Sequence, residues 1–224
     1  MAIQAVIWDF GGVLTDSPFT AFNRFEAERG LPRDFLRTVN AQNHLDNAWA
    51  RFERSAIGLD EFDAAFRAES AALGHPVGGR EVIALLARRL RPEMVAALKA
   101  CKARLRVGCI TNNVAAGEGP TMVLGDGDDG DGGGGAALAA EVARVFALFD
   151  HVIESSKAGL RKPDPRIYRM ACDALGVVPR NAVYLDDLGV NLKPARELGM
   201  TTIKVADPDT ALAELEAAVG FPLR

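Results

Sequence analysis

From Pro92 onward the chain alternates short apolar runs with helix-like stretches, and this rhythm constrains its fold more than any other feature. A helix over 92–104 precedes a strand Arg106–Thr111, and a helix over 136–147 precedes a short strand near His151–Glu154. A helix over 165–175 precedes Ala182–Asp186, and one over 190–198 precedes Thr201–Val205. Asp164-Pro165 and Gly176 bracket one of these helices, Gly199 closes the next, and Asp207-Pro208 opens a last helix toward Val219. Acidic N-caps, prolines in the first turn and glycines past the end are the expected helix punctuation. Such alternation requires right-handed crossovers and gives a parallel sheet with helices on both faces. An earlier run over 3–8, rich in Val and Ile and without alternation, suits a strand covered on both sides. It stops at Asp9, in the stretch WDFGGVLTD.

Between these two parts lies a region without strand-like runs. Ser17-Pro18 opens a helix over 19–28, and further helical stretches fall near 33–41, 43–55, 60–73 and 79–89. Phe62 and Phe66 at i,i+4, with Ala65 and Leu73 nearby, mark one buried face. The fold expected is therefore α/β: a Rossmann-like, doubly wound parallel-sheet core from 1–16 and 92–224, with a helical unit, 17–91, inserted after the first strand. One segment breaks composition, GEGPTMVLGDGDDGDGGGG at Gly117–Gly135. It misses the calcium-loop order Asp-x-Asp-x-Asp-Gly because Gly130 takes the fifth position, and it reads as a solvated flexible loop.

The 224 residues, 49% hydrophobic and 25% charged, suffice for one sizeable α/β domain or a main domain with a small insert. A formal net charge of -4 with scattered basic residues gives no general field for nucleic acid or an anionic membrane. Arg88, Arg89 and Arg91 read as a solvated helix end. Cys101, Cys109 and Cys172 lack metal-ligand spacing and read as inert thiols in a reducing compartment. Met1 leads almost directly into a strand, and no apolar run reaches membrane-spanning length, so a cytoplasmic protein is expected. Oligomeric state leaves no signature.

In a doubly wound sheet, ligands bind beyond the carboxyl ends of the strands, at the topological switch point. The polar groups that end the apolar runs are Asp9, Thr111-Asn112-Asn113 in VGCITNN, and Asp186-Asp187 in AVYLDD, with Lys162 in GLRKPDP between them. Singly, each is an ordinary cap, turn or loop residue. Together, neighbouring strands would bring them to one crevice. Clustered carboxylates suit magnesium, which is often shared with a substrate phosphate. A carboxylate beside such an ion can attack phosphorus, forming an aspartyl phosphate that water then opens. The Thr111 hydroxyl and the amides after Asp9 can donate to the phosphoryl oxygens, and Lys162 supplies a point charge.

The order WDFGGVLTD, ITNN, KPDP and LDD resembles the haloacid dehalogenase superfamily, mostly aspartate-nucleophile phosphatases. Within it, YLDDLGVNLKPARELGMTTIKV is similar to the amino-terminal phosphatase domain of soluble epoxide hydrolase and to bacterial phosphatases like it. The resemblance covers roughly 1–16 and 92–224, and the inserted helices resemble the superfamily's mobile cap. It implies a magnesium-dependent phosphatase of small phosphorylated metabolites. Asp9 becomes nucleophile and metal ligand, Thr111, Asn112 and Lys162 the phosphoryl-binding groups. Asp187 is then the direct metal ligand and Asp186 direct or outer, with Asn191 supporting and the Gly11 carbonyl facing the metal. Cap positions Phe19, Phe22, His44, Trp49 and Arg51 are candidates for lining the substrate pocket.

Gly11 departs from the family pattern, in which a second Asp serves there as general acid and base. Asp16, His44 and Glu53 are candidate substitutes. Otherwise the substrate carries a good leaving group, or the protein is a catalytically weak phospholigand-binding or regulatory protein. A metal-free haloacid dehalogenase also tolerates Gly11, but has no use for Asp186-Asp187.

Overall fold

In the computed structural model, which describes residues 2–86, 89–113 and 134–223 (for 134–136 the backbone alone), the apolar runs form one parallel sheet. Its strands are β1 (Ala5–Trp8), β2 (Arg106–Thr111), β3 (His151–Glu154), β4 (Ala182–Asp186) and β5 (Thr201–Lys204). They lie in the order β3-β2-β1-β4-β5, so the chain winds outward on one side of β1 and then on the other. The expected doubly wound α/β core is present. Trp8 pairs in register with Cys109 on β2 and Leu185 on β4, which sets Asp9 beside Asp186 at the carboxyl edge.

Between β1 and the rest of the sheet come five helices: α1 (Phe19–Glu28), α2 (Phe35–Ala41), α3 (Ala48–Glu53), α4 (Leu59–Ala72) and α5 (Gly79–Ala84). They bury an apolar cluster of their own, with Phe62 and Phe66 fully enclosed and Phe52 stacked on Phe62 at 4.4 Å. The chain leaves the sheet and returns at adjacent points. Thr15 and Leu90 form an antiparallel bridge, and the Asp16 and Arg91 amides donate to the Arg89 and Leu14 carbonyls at 3.0 and 2.8 Å.

The remaining helices are α6 (Pro92–Lys102), α7 (Gly134–Phe146), the single turn α8 (Ser155–Ala158), α9 (Pro165–Leu175), α10 (Gly189–Glu197) and α11 (Pro208–Val219). Period-2 alternation decides which face each strand residue serves. Val6, Trp8, Val183 and Leu185 pack under α6, α7 and α11, whereas Ala5, Ile7, Ala182 and Tyr184 pack under α9 and α10. The caps act as expected: Asp164 accepts from the Arg166 amide, Asp207 from the Thr210 amide, and Gly176 turns out of α9 at φ 64.

Several expectations need correction. No helix spans 43–55, because Asn47 ends one segment and starts the next. Its Oδ1 accepts from the Ala50 amide at 2.8 Å, while its Nδ2 donates to the Asn40 and Gln42 carbonyls. The helix expected to 89 stops at Ala84, after which the Leu85 and Leu86 amides donate to the Val82 and Ile83 carbonyls in tighter i→i−3 bonds. Leu73 lies past the last turn of α4 and is 40% exposed, off the face of Phe62 and Phe66. Residues 117–133 of the Gly/Asp-rich run, and Arg88, lie outside the described residues. All three cysteines are free and buried.

Phe62 anchors the inserted helices, between Phe52, Trp49 and Phe66. Phe62→Ala should lower unfolding free energy by about 3–5 kcal/mol in urea titration, by lost burial and a residual cavity. A loss below about 1 kcal/mol would show that this cluster is not a packed core.

Candidate active site

β1 ends by turning its chain at Asp9, whose amide donates to the Leu185 carbonyl at 2.8 Å. This carries the carboxylate just past the sheet edge, 7% exposed. The adjoining β4 ends in Asp186, fully buried, with Asp187 following. The loop after α8 delivers Lys162, 1% exposed, between the two strands' acids. Its Nζ lies 2.7 Å from Asp9 Oδ1 and 2.8 Å from Asp186 Oδ2. A buried ammonium is tolerable only because two carboxylates pair with it.

The two acids are held differently. Asp186 is engaged on both oxygens: Oδ2 by Lys162 and the Tyr184 hydroxyl, Oδ1 by the Leu188 amide at 2.8 Å, and both by Asn191 Nδ2 at 3.0 and 3.1 Å. Asn191 thus holds Asp186. Asp9 accepts on Oδ1 from Lys162 and from the Phe10 amide at 2.7 Å, and among the described residues no donor engages its Oδ2. Burial pushes the Asp9 carboxyl up to about 8; Lys162 opposes this, and the charges of Asp186 and Asp187 add to it. For Lys162, burial works against the charge, but the carboxylates of Asp186 and Asp9 outweigh it and hold the ammonium well above its ordinary range.

Asp9, Asp186 and Asp187 offer carboxylate oxygens that all lie within 4.8 Å of one another. Three hard oxygen donors against one ammonium leave an excess of negative charge, a set that fits a hard divalent cation. The loop after Asp9 is shaped around this set. Gly12 has φ 79, and a Cβ there would come within 2.3 Å of Asp187 Oδ2, so only glycine lets the Asp187 carboxylate approach.

A cavity of about 540 Å³ opens over the acids, and Asp9, Gly11, Thr111, Asn112, Lys162 and Asp187 line its floor. Among the described residues the Thr111 hydroxyl makes no hydrogen bond and is free to donate into that space. The Asn112 side chain is committed to Lys162: Oδ1 accepts from the Lys162 amide at 2.9 Å and Nδ2 donates to its carbonyl at 3.1 Å. From the inserted helices, Phe19, Phe22, His44 and Trp49 line the cavity as expected. Arg51 does not, and instead reaches toward Glu61 at 3.9 Å.

Of the candidate substitutes for an acid at Gly11, Asp16 turns away to Arg91 at 3.7 Å, while His44 and Glu53 face the cavity. Some residues escaped the sequence reading. Arg91 is not a solvated helix end; its Nη1 donates to the Gly12 carbonyl at 3.0 Å and braces the loop after Asp9. Arg161, Arg37 and Asn40 also line the cavity. Only Arg161, adjacent to Lys162 in GLRKPDP, carried a local signal.

The family model for haloacid dehalogenase-like hydrolases matches residues 3–199. The chain belongs to the haloacid dehalogenase-like hydrolases. It is 34% identical to mouse bifunctional epoxide hydrolase 2 over 99% of this chain and 40% of that protein. It is 33% identical to mouse acyl-CoA dehydrogenase family member 10 over 98% of this chain and 19% of that protein. The chain thus spans less than half the length of either relative. The fold is shared with a family enzyme from Bacteroides thetaiotaomicron in complex with magnesium and inorganic phosphate (TM-score 0.57, 18% identity, 91% of this chain and 94% of that one). It is shared equally with an L-2-haloacid dehalogenase from Xanthobacter autotrophicus with chloropropionic acid covalently bound (TM-score 0.58, 21% identity, 96% and 83%). Among the described residues no helix is long and apolar enough to cross a membrane.

Lys162→Met keeps the volume but leaves Asp9 and Asp186 facing each other unpaired. Unfolding free energy should fall by about 3–5 kcal/mol at neutral pH, read by urea titration. A change under about 1 kcal/mol would contradict a buried ion triad.

Proposed function

We propose that this protein hydrolyses phosphate monoesters of small metabolites in a magnesium-dependent reaction that begins at Asp9. The observation that supports this reading best is the Lys162 bridge, with Asp187 packed beside it against Gly12. It gathers an oxygen nucleophile, a cation site and a fixed positive charge at the floor of one cavity. The complex of the Bacteroides family member with magnesium and inorganic phosphate points the same way.

In this reading Asp9, Asp187 and the Gly11 carbonyl would hold the ion, while Asp186, already engaged by protein donors on both oxygens, would act from outside. Magnesium, when bound, neutralises phosphoryl charge. Asp9 Oδ2 attacks phosphorus as the bond to the leaving oxygen breaks, and Thr111, the loop amides and Lys162 hold the phosphoryl oxygens. Water then attacks the same phosphorus, releasing inorganic phosphate and restoring the carboxylate. The inserted helices, 17–91, act as a cap that excludes bulk water and shapes substrate choice through its cavity wall.

Gly11 bears on the first step. With no carboxyl two residues after the nucleophile, the leaving oxygen lacks a protonating partner from that position, help worth about 10²–10⁴-fold. Substrates whose leaving groups need little protonation are therefore favoured.

With magnesium, an activated aryl phosphate should turn over faster than an alkyl phosphate, and both activities should vanish in Asp9→Asn or on chelation. Turnover that survives Asp9→Asn, or metal-independent release of halide from a 2-haloacid, would overturn the assignment.

A further inference from the structure

The inserted helices meet the strand-end loops at one buried carboxylate. Glu53, the last residue of α3, is 6% exposed. Its Oε1 accepts from Trp49 Nε1, one turn earlier, at 2.9 Å. Its Oε2 accepts from Arg161 Nε at 2.6 Å and, more distantly, from Asn112 Nδ2 at 3.4 Å. The backbone joins in. The Glu53 carbonyl accepts from Ser155 Oγ at 2.8 Å, and that oxygen accepts from the Asn113 amide at 2.9 Å. Arg161 reaches back with Nη1 to the His44 carbonyl at 3.0 Å.

Burying a carboxylate is unfavourable unless donors surround it, and here every side-chain partner is a donor. That geometry makes Glu53 an acceptor and gives it no free oxygen to act as the missing acid. Its partners point to another task. Arg161 is the residue before Lys162, and Asn112 is the residue after Thr111. The Asn112 amide grips both backbone groups of Lys162, donating to its carbonyl and accepting from its amide. Flipped by half a turn, that side chain would set its oxygen against two acceptors, the Glu53 carboxylate and the Lys162 carbonyl. Glu53 therefore favours the orientation in which Asn112 holds Lys162, and its ion pair with Arg161 pins the same loop from the other side.

We infer that Glu53 is a positioning residue: docking of the inserted helices through Glu53 and Arg161 sets the Lys162 loop and the Asn112 amide. The strand-end site is completed only when those helices are seated. The effect on rate rests on the phosphatase reading, whereas the effect on the loop does not.

The test uses the full chain with Glu53→Gln, Arg161→Gln, the double variant, and Ser55→Ala as a control. Ser55→Ala removes another link between the same parts, Ser55 Oγ to the Ser156 carbonyl at 3.1 Å. Hydrogen exchange of the Lys162 amide is read first, without substrate. Each single variant should speed it about 10-fold or more, and Ser55→Ala should leave it unchanged. With an aryl phosphate and magnesium, each should lower kcat about 10- to 100-fold with little change in KM, the scale seen when an outer partner is lost or a group is misplaced. The double variant should be no worse than the worse single one, because the two act as a unit. If Glu53→Gln does not fold, Arg161→Lys keeps the charge but loses the second arm, and should show the same pattern more weakly. Unchanged Lys162 exchange, or losses that multiply in the double variant, would overturn the inference. A wild-type chain that cleaves no phosphoester would sink the proposed function, and the exchange result would still decide the role of Glu53.

Discussion

The buried Lys162 ammonium is the interaction on which the candidate site depends. Strand pairing alone puts Asp9 beside Asp186, since their strands are in register and end together. Two carboxylates that close repel and lose hydration, so a cation has to stand between them. Lys162 does so at 2.7 and 2.8 Å. It compensates only part of the charge: burial still holds the Asp9 carboxyl up near 8, with Asp186 and Asp187 adding to the rise. The protein has thus built a pocket that is short of positive charge, at the place where a doubly wound sheet presents ligands. A divalent cation is complementary to such a site.

Much of this was legible in the sequence because it is written locally. Strand-forming runs, caps such as Asp164 and Asp207, and acids that end apolar runs are patterns within a few residues. Asp9, Thr111, Lys162 and the Asp186-Asp187 pair all fall where the alternation placed them. What could not be read depends on distance along the chain. Glu53 and Arg161 are 108 positions apart, and neither has a local pattern announcing the other. Arg91 read as a solvated charge because nothing nearby shows that the Gly12 carbonyl waits for it. The neighbours of Asn47 have helical composition, but its side chain ties three backbone groups into a break that no local pattern announces. Leu73 fits an apolar periodicity, but the helix ends before that periodicity reaches it.

The inserted helices are bound to this chemistry in two distinct ways. An antiparallel bridge at Thr15 and Leu90 joins them to the loop that carries Asp9, where Arg91 also braces Gly12. The Glu53 cluster joins them to the loops that carry Thr111 and Lys162. Asp9 and Lys162 therefore both feel how those helices sit, which gives a physical route from the cavity wall to the strand-end carboxylates. Among the described residues Asp9 keeps one oxygen, Oδ2, without a protein donor, whereas Asp186 is engaged on both of its oxygens.

Covalent capture tests this account most directly. The protein is mixed with an aryl phosphate and magnesium, quenched in acid during turnover, reduced with borohydride and mapped by peptide mass spectrometry. An aspartyl phosphate is reduced to the alcohol, so the account predicts that modification at Asp9 and at no other acid. Steady release of phosphate with Asp9 unmodified at every quench time, or modification of a different carboxylate, would contradict it.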